Sequence, residues 1–156
     1  MSERNEVTTL TASAAADGPT RFEPPVSRVS APFWDATRER RLVLQHCRVC
    51  ESAIWYPRVL CPGCGSDGLE WRDVAGDGEV YAVSVQHRAA HPGLAGRVPY
   101  AVALVDLDAG VRMLSNVIGC AADRVSVGTR VRPAWEALSD GRHLLMFEPI
   151  GLEEEP

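Results

Sequence analysis

Lysine is absent from this 156-residue chain; all 16 basic residues are arginine, set against 21 acidic ones for a formal net charge of -5. So acidic a chain is a poor general binder of polyphosphate backbones, which require a local excess of positive charge. No apolar stretch approaches the ~20 residues that span a bilayer, and residues 1–20 lack the apolar run of a secretory signal. A cytoplasmic protein with no membrane partner is therefore expected. Also missing are a Gly-x-Ser-x-Gly elbow, a P-loop and a dinucleotide fingerprint. No enzyme motif remains to compete with what is present.

What is present is sulfur, in one place. Cys47 and Cys50 form one Cys-x-x-Cys pair, and Cys61 and Cys64 form a second after a ten-residue connection. Two such pairs supply four thiolates from two tight turns, the spacing of a tetrahedral zinc site. Gly63 and Gly65 suit a turn with positive φ, and Pro62 presets its bend; in the first turn Glu51 stands where a second glycine is expected. Disulfides would need an oxidising compartment. A thioredoxin-like site needs one pair at a helix start, not two in a Pro/Gly-rich hairpin. Four protein ligands leave zinc no open position, so the metal is read as structural. His46 abuts Cys47 but is read as a neighbour. Cys120, left over, is read as a small buried thiol.

Along the chain, residues 1–28 read as a disordered tail, with small residues and no apolar period before Pro24-Pro25. Residues 29–45 hold a short helix from Ala31 to about Leu42, capped by Ser30 with Pro32 early, and a lead-in strand from Leu42 to His46. Residues 46–74 form the metal ribbon, with strands at Ala53–Pro57 and Leu69–Val74; Trp55, Tyr56 and Trp71 are expected to pack together beside the metal. Arg38, Arg40, Arg41, Arg48 and Arg58 make this the most basic region, which serves either as a solvated face or as an anion or partner contact.

Residues 75–151 read as strands at Glu79–Arg88, Tyr100–Leu107, Val111–Ile118, Arg130–Trp135 and His143–Pro149, with Asp108-Ala109-Gly110 as a hairpin turn. Five strands in about 70 residues predict a Greek-key barrel of the OB type. The whole is mostly β, with one short helix and a rubredoxin-like ribbon before the barrel; residues 152–156 are an acidic tail. The connection from His87 to Pro99 is long and basic, a common ligand position on such barrels. Its His87, Arg88, His91 and Arg97 are candidate contacts, without a nearby carboxylate or nucleophile to make them catalytic.

Several stretches coincide in order with one family. They are Phe33-Trp34, Leu42 to Cys50, Tyr56-Pro57-Arg58, Cys61-Pro62-x-Cys64-Gly65, Leu69-Glu70-Trp71, Gly76-x-Gly78-x-Val80-Tyr81, Pro99 to Leu107, Val127 to Val131 and Phe147-Glu148-Pro149. Over residues 31 to 150 the chain resembles the zinc-ribbon/OB-fold family of acyl-CoA-associated proteins. The resemblance implies a helical hairpin, a zinc ribbon and a barrel. It also implies a non-catalytic accessory role beside thiolase-like enzymes or aldolases of lipid or steroid side-chain catabolism. In this role the chain joins a hetero-oligomer and helps form the acyl-CoA channel. The five ribbon and helix arginines would then meet the partner or the CoA phosphates, and His87, Arg88, His91 and Arg97 would lie near the acyl group. Two other partners fit the family: a MaoC-type enoyl-CoA hydratase or an acyltransferase. From another class, a single-stranded nucleic-acid module would require exposed aromatics and a basic groove on the barrel.

Overall fold

The structure, a computed structural model, describes residues 22–151. The expected tails therefore lie partly outside the described residues: 1–21 and 152–156 are not described, whereas 22–28 are. That last stretch is tied to the barrel, because the Glu23 carboxylate accepts from the Ser139 amide (2.7 Å) and hydroxyl (2.8 Å), and Arg142 donates to the Pro24 carbonyl (2.9 Å).

Helix α1 spans Ala31–Thr37 and is five residues shorter than the sequence suggests. It stops in a Schellman-type turn: Arg41 N–H reaches the Ala36 carbonyl, Arg40 N–H reaches Thr37, and Arg40 takes φ 55. Glycine usually marks that position; here an arginine does, so the sequence carries no stop signal. Ser30 makes no side-chain cap. The Ser27 hydroxyl accepts from the Ser30 amide at 3.1 Å, in the turn that precedes the helix. Phe33, Trp34, Ala36 and Thr37 form the buried side. Buried Thr37 docks the helix by accepting from the His143 amide at 3.2 Å.

Strands β1 (Val43–Cys47), β2 (Ala53–Ile54) and β3 (Leu69–Asp73) form an antiparallel sheet in the order β2-β1-β3. Strand β2 is shorter than the expected Ala53–Pro57. The barrel follows as β4 (Gly78–Gln86), β5 (Tyr100–Leu107), β6 (Arg112–Val117), β7 (Arg130–Ala137) and β8 (His143–Pro149). Its order is β4-β5-β6-β8-β7, closed by β4 against β7, with β6 and β8 parallel. This is the five-strand closed barrel expected of an OB fold. Alternation along β5 buries Ala101, Ala103, Val105 and Leu107. They meet Val80, Val131 and Phe147 in one core that also takes Phe33, Trp34, Leu42, Val43 and Leu44. Helix and lead-in strand therefore pack against the barrel core rather than standing apart from it.

The expected aromatic cluster beside the metal does not form. Trp55 sits 4.9 Å from Phe33 and 4.7 Å from Tyr56 by ring centroid, and both Trp55 and Trp71 pack against the barrel-side core. The residues packed at the cysteines are Ile54 and Leu69. Cys120 is half-buried, not fully buried. Among the described residues no helix is long and apolar enough to cross a membrane.

Candidate metal centre and surrounding site residues

The two cysteine turns are built alike. In each, the amide after the second cysteine closes on the first cysteine's carbonyl: Glu51 N to Cys47 O and Gly65 N to Cys61 O, both 2.9 Å. In each, the first cysteine's amide then bonds to a serine carbonyl: Cys47 N to Ser52 O at 3.0 Å and Cys61 N to Ser66 O at 2.8 Å. Glu51 (φ 58) and Gly65 (φ 75) occupy the same left-handed position. Glu51 thus adopts the conformation a glycine would have taken more easily. Gly63 has no positive φ. The paired Ser52 and Ser66 were missed from sequence, although each stands two residues after a pair's second cysteine.

These turns bring one sulfur from each of Cys47, Cys50, Cys61 and Cys64 within 4.8 Å of one another. Cys47–Cys64 and Cys50–Cys61 are 3.6 and 3.5 Å apart. Thiolates at tetrahedral corners around zinc, each ~2.3 Å from the ion, stand about 3.8 Å apart, so the donor set fits that metal. Cys47 and Cys61 are buried; Cys50 and Cys64 are exposed. The Ser52 hydroxyl, 3.2 Å from the Cys50 sulfur, and the Ser52 amide hold that thiol down to about 6. The Ser66 amide also acts to lower Cys64, but the Cys47 sulfur and burial prevail and push it up to about 12. Four crowded sulfurs resist joint ionisation unless a cation neutralises them. The four cysteines are placed so that each offers one sulfur to a shared metal ion.

The basic residues expected around it are not alike. Arg38 donates to the Asp140 carbonyl (2.6 Å), and Arg41 bridges Glu39 (2.8 Å) and Asp73 (2.6 Å). Arg40 reaches His143 at 3.5 Å, and Arg48 lies 3.7 Å from Glu70. The Arg58 guanidinium alone of the five has no partner among the described residues; the Arg58 backbone bonds Gln45 on β1. Exposed Val49, Val59 and Leu60 stand next to Arg48 and Arg58 in the chain.

The connection after β4 carries a 3-10 helix at Pro92–Arg97. His91 caps it, accepting from the Gly93 amide at Nδ1 (3.0 Å), and Arg97 ties it to Glu136 on β7 (2.6 Å). His87 and Arg88 are exposed. Leu94, Arg97 and Pro99 form one wall of a 350 Å³ cavity whose floor includes Asn116, Cys120 and Met146. On the barrel, Arg112 covers one face of the exposed Tyr81 ring at 3.3 Å, and Phe147 is fully buried.

Two family models match in tandem: the ChsH2 rubredoxin-like zinc ribbon domain over residues 34–70 and the ChsH2 C-terminal OB-fold domain over residues 71–136. Among solved structures, an Ltp2–ChsH2(DUF35) aldolase matches with TM-score 0.73 and 35% identity, covering 81% of this chain and 98% of that one. A probable enoyl-CoA hydratase alpha subunit of Thermomonospora curvata is 36% identical over 135 residues, 86% of this chain but only 42% of its own length. A DUF35 domain-containing scaffold protein of Methanocaldococcus jannaschii is 27% identical over 109 residues, 69% of this chain and 77% of its own. The chain thus spans about two fifths of the hydratase subunit.

Proposed function

Because this chain belongs to the ChsH2 zinc-ribbon/OB-fold family, we propose that it is a non-catalytic accessory subunit of an acyl-CoA enzyme. Its partner is a thiolase-like or aldolase subunit, and together they form the acyl-CoA channel. The observation that carries this reading is the likeness, over 81% of this chain, to a chain of an Ltp2–ChsH2(DUF35) aldolase. Zinc, held by Cys47, Cys50, Cys61 and Cys64, is structural, since every ligand position is taken by sulfur. The ribbon of residues 46–74 and the barrel of residues 75–151 supply separate surfaces to the complex. Exposed Val49, Val59 and Leu60 beside Arg48 and Arg58 suit a protein partner or, for the arginines, CoA phosphates. The loop bearing His87, Arg88, His91 and Arg97 lies toward the acyl group. The scaffold name of the archaeal relative is in keeping with a subunit that does no chemistry. The hydratase name of the Thermomonospora relative favours a second reading, in which the partner is a MaoC-type enoyl-CoA hydratase.

Co-expression with one aldolase subunit and, separately, one hydratase subunit, followed by co-purification and turnover of the matching acyl-CoA, separates the two. Stable capture of the aldolase, with turnover only in the complex, is expected. Replacing residues 89–96 by a short glycine-serine link should lower that turnover by about tenfold, roughly 1.4 kcal/mol of barrier, and leave zinc content unchanged. Full turnover with the shortened loop removes the loop from the channel; rapid thioester turnover by this chain alone ends the accessory reading.

A further inference from the structure

A second cavity, of 430 Å³, lies where the three parts of the chain meet, and no residue singled out from the sequence for binding lines it. Helix α1 contributes Phe33 and Trp34, the ribbon Trp55, and the barrel Met113 and Leu144. Its outer wall is the segment before the helix, at Pro24, Pro25 and Ser27. Met113 is at the opposite end of β6 from Val117, which lines the 350 Å³ cavity under the long loop, so the two are separate.

Three properties define what the cavity would take. Its volume falls within the ~300–1,000 Å³ of small-molecule sites. No charged side chain lines it, so a phosphate or carboxylate placed there would be desolvated without a partner. Polar capacity is small: the Ser27 and Ser30 hydroxyls are 3.0 Å apart and satisfy each other, exposed Tyr56 adds one phenol hydroxyl, and the buried indole N–H of Trp55 has no acceptor among the described residues. A neutral hydrocarbon group carrying at most one carbonyl oxygen matches all three.

The wall is held by side chains from the turn between β7 and β8. Glu23 is clasped by Ser139 at 2.7 and 2.8 Å. Arg142, itself buried, donates to the Pro24 carbonyl, pairs with Asp140 at 2.6 Å and lies 4.8 Å over the Trp34 ring. One cation therefore joins the wall of the cavity to one of its aromatic faces. We propose that this cavity is a binding site for a neutral apolar group, a fused ring or an alkyl chain, enclosed by the residue 22–27 segment. Its identification with the acyl part of a CoA ester rests on the function proposed above; binding itself does not.

The test uses the full chain with zinc bound and no partner enzyme. Androst-4-en-3-one, a flat neutral molecule with a single ketone, is titrated while tryptophan emission is followed, with octanoyl-CoA and free CoA as competitors. A saturable change is expected, weakened at least tenfold by Ser27→Phe, which adds a ring to the exposed wall, at unchanged zinc content and circular dichroism. Pro25→Phe, on the same wall, replaces it if Ser27→Phe does not fold. Competition by octanoyl-CoA but not by CoA identifies an ester as the source of the group, and no competition identifies a free lipid; both support the site. No saturable change, or equal affinity in a folded wall variant, overturns it. A sample that fails to pair with the aldolase yet binds the ketone refutes only the earlier reading.

Discussion

The ribbon and the barrel lie side by side in one chain and are held together by different forces. Among the described residues, the buried cluster at the ribbon's cysteines is Cys47, Ile54 and Cys61, with Leu69 half-buried against them. The barrel shares with the helix and β1 a continuous core running from Phe33 to Phe147. So few apolar atoms around the sulfurs cannot offset the entropy of ordering two turns and their connection. A metal ion can, because its binding free energy becomes folding free energy. The barrel needs no such ion: its strands close on themselves and bury their alternate residues.

Metal removal should divide the molecule most sharply. Chelation is expected to cost the ribbon about 10 kcal/mol, and Cys61→Ser, which leaves three sulfurs, a part of it. Amide exchange would then rise across the two cysteine turns and β2 while β4 to β8 and the barrel-packed start of β1 stay protected, and protected cysteine-turn amides in a zinc-free sample would erase the distinction. Next comes Phe147→Ala, which removes a fully buried ring and should lower stability by about 3–5 kcal/mol. Denaturant unfolding reads that loss, and zinc affinity should not change with it.

Acid should separate the regions more gently. Asp106 and Asp108 are held below their ordinary 3.8 by hydrogen bonds from Arg112 and Arg130. A lowered folded pKa means their stabilisation is complete above the ordinary value and is lost as pH falls through the lower one. Thiolate ligands compete with protons from much higher pH. Zinc release is thus expected first on acidification, with these barrel ion pairs yielding only below 3.8; metal release and far-UV dichroism, followed together, should show two steps in that order.

How much of this could be read from residues alone depended on range. The sulfur pairs were legible because a tetrahedral site fixes its own spacing, and the strands of the barrel because alternation and Asp-Ala-Gly turns are local. The end of α1 was not, since Arg40 does the work usually marked by glycine. Placing Trp55 and Trp71 at the metal assumed that the ribbon must supply its own aromatic core, whereas both found a larger one in the barrel. The cavity walls come from positions as distant as Pro24, Trp55 and Leu144. Nothing in the local pattern joins them, and the wall segment itself reads as tail until Glu23 and Pro24 are seen bonded to Ser139 and Arg142.

Gly76 sits between β3 and β4, and a single added carbon there would lie 2.2 Å from the Pro133 ring and 3.1 Å from the Leu42 side chain. The crossing from one module to the next is therefore closed to any side chain at all, and slack at that point would require both neighbours to withdraw. The β3–β4 crossing is thus kept close against Pro133 of the barrel and Leu42 before β1, a closeness encoded by a missing methyl group.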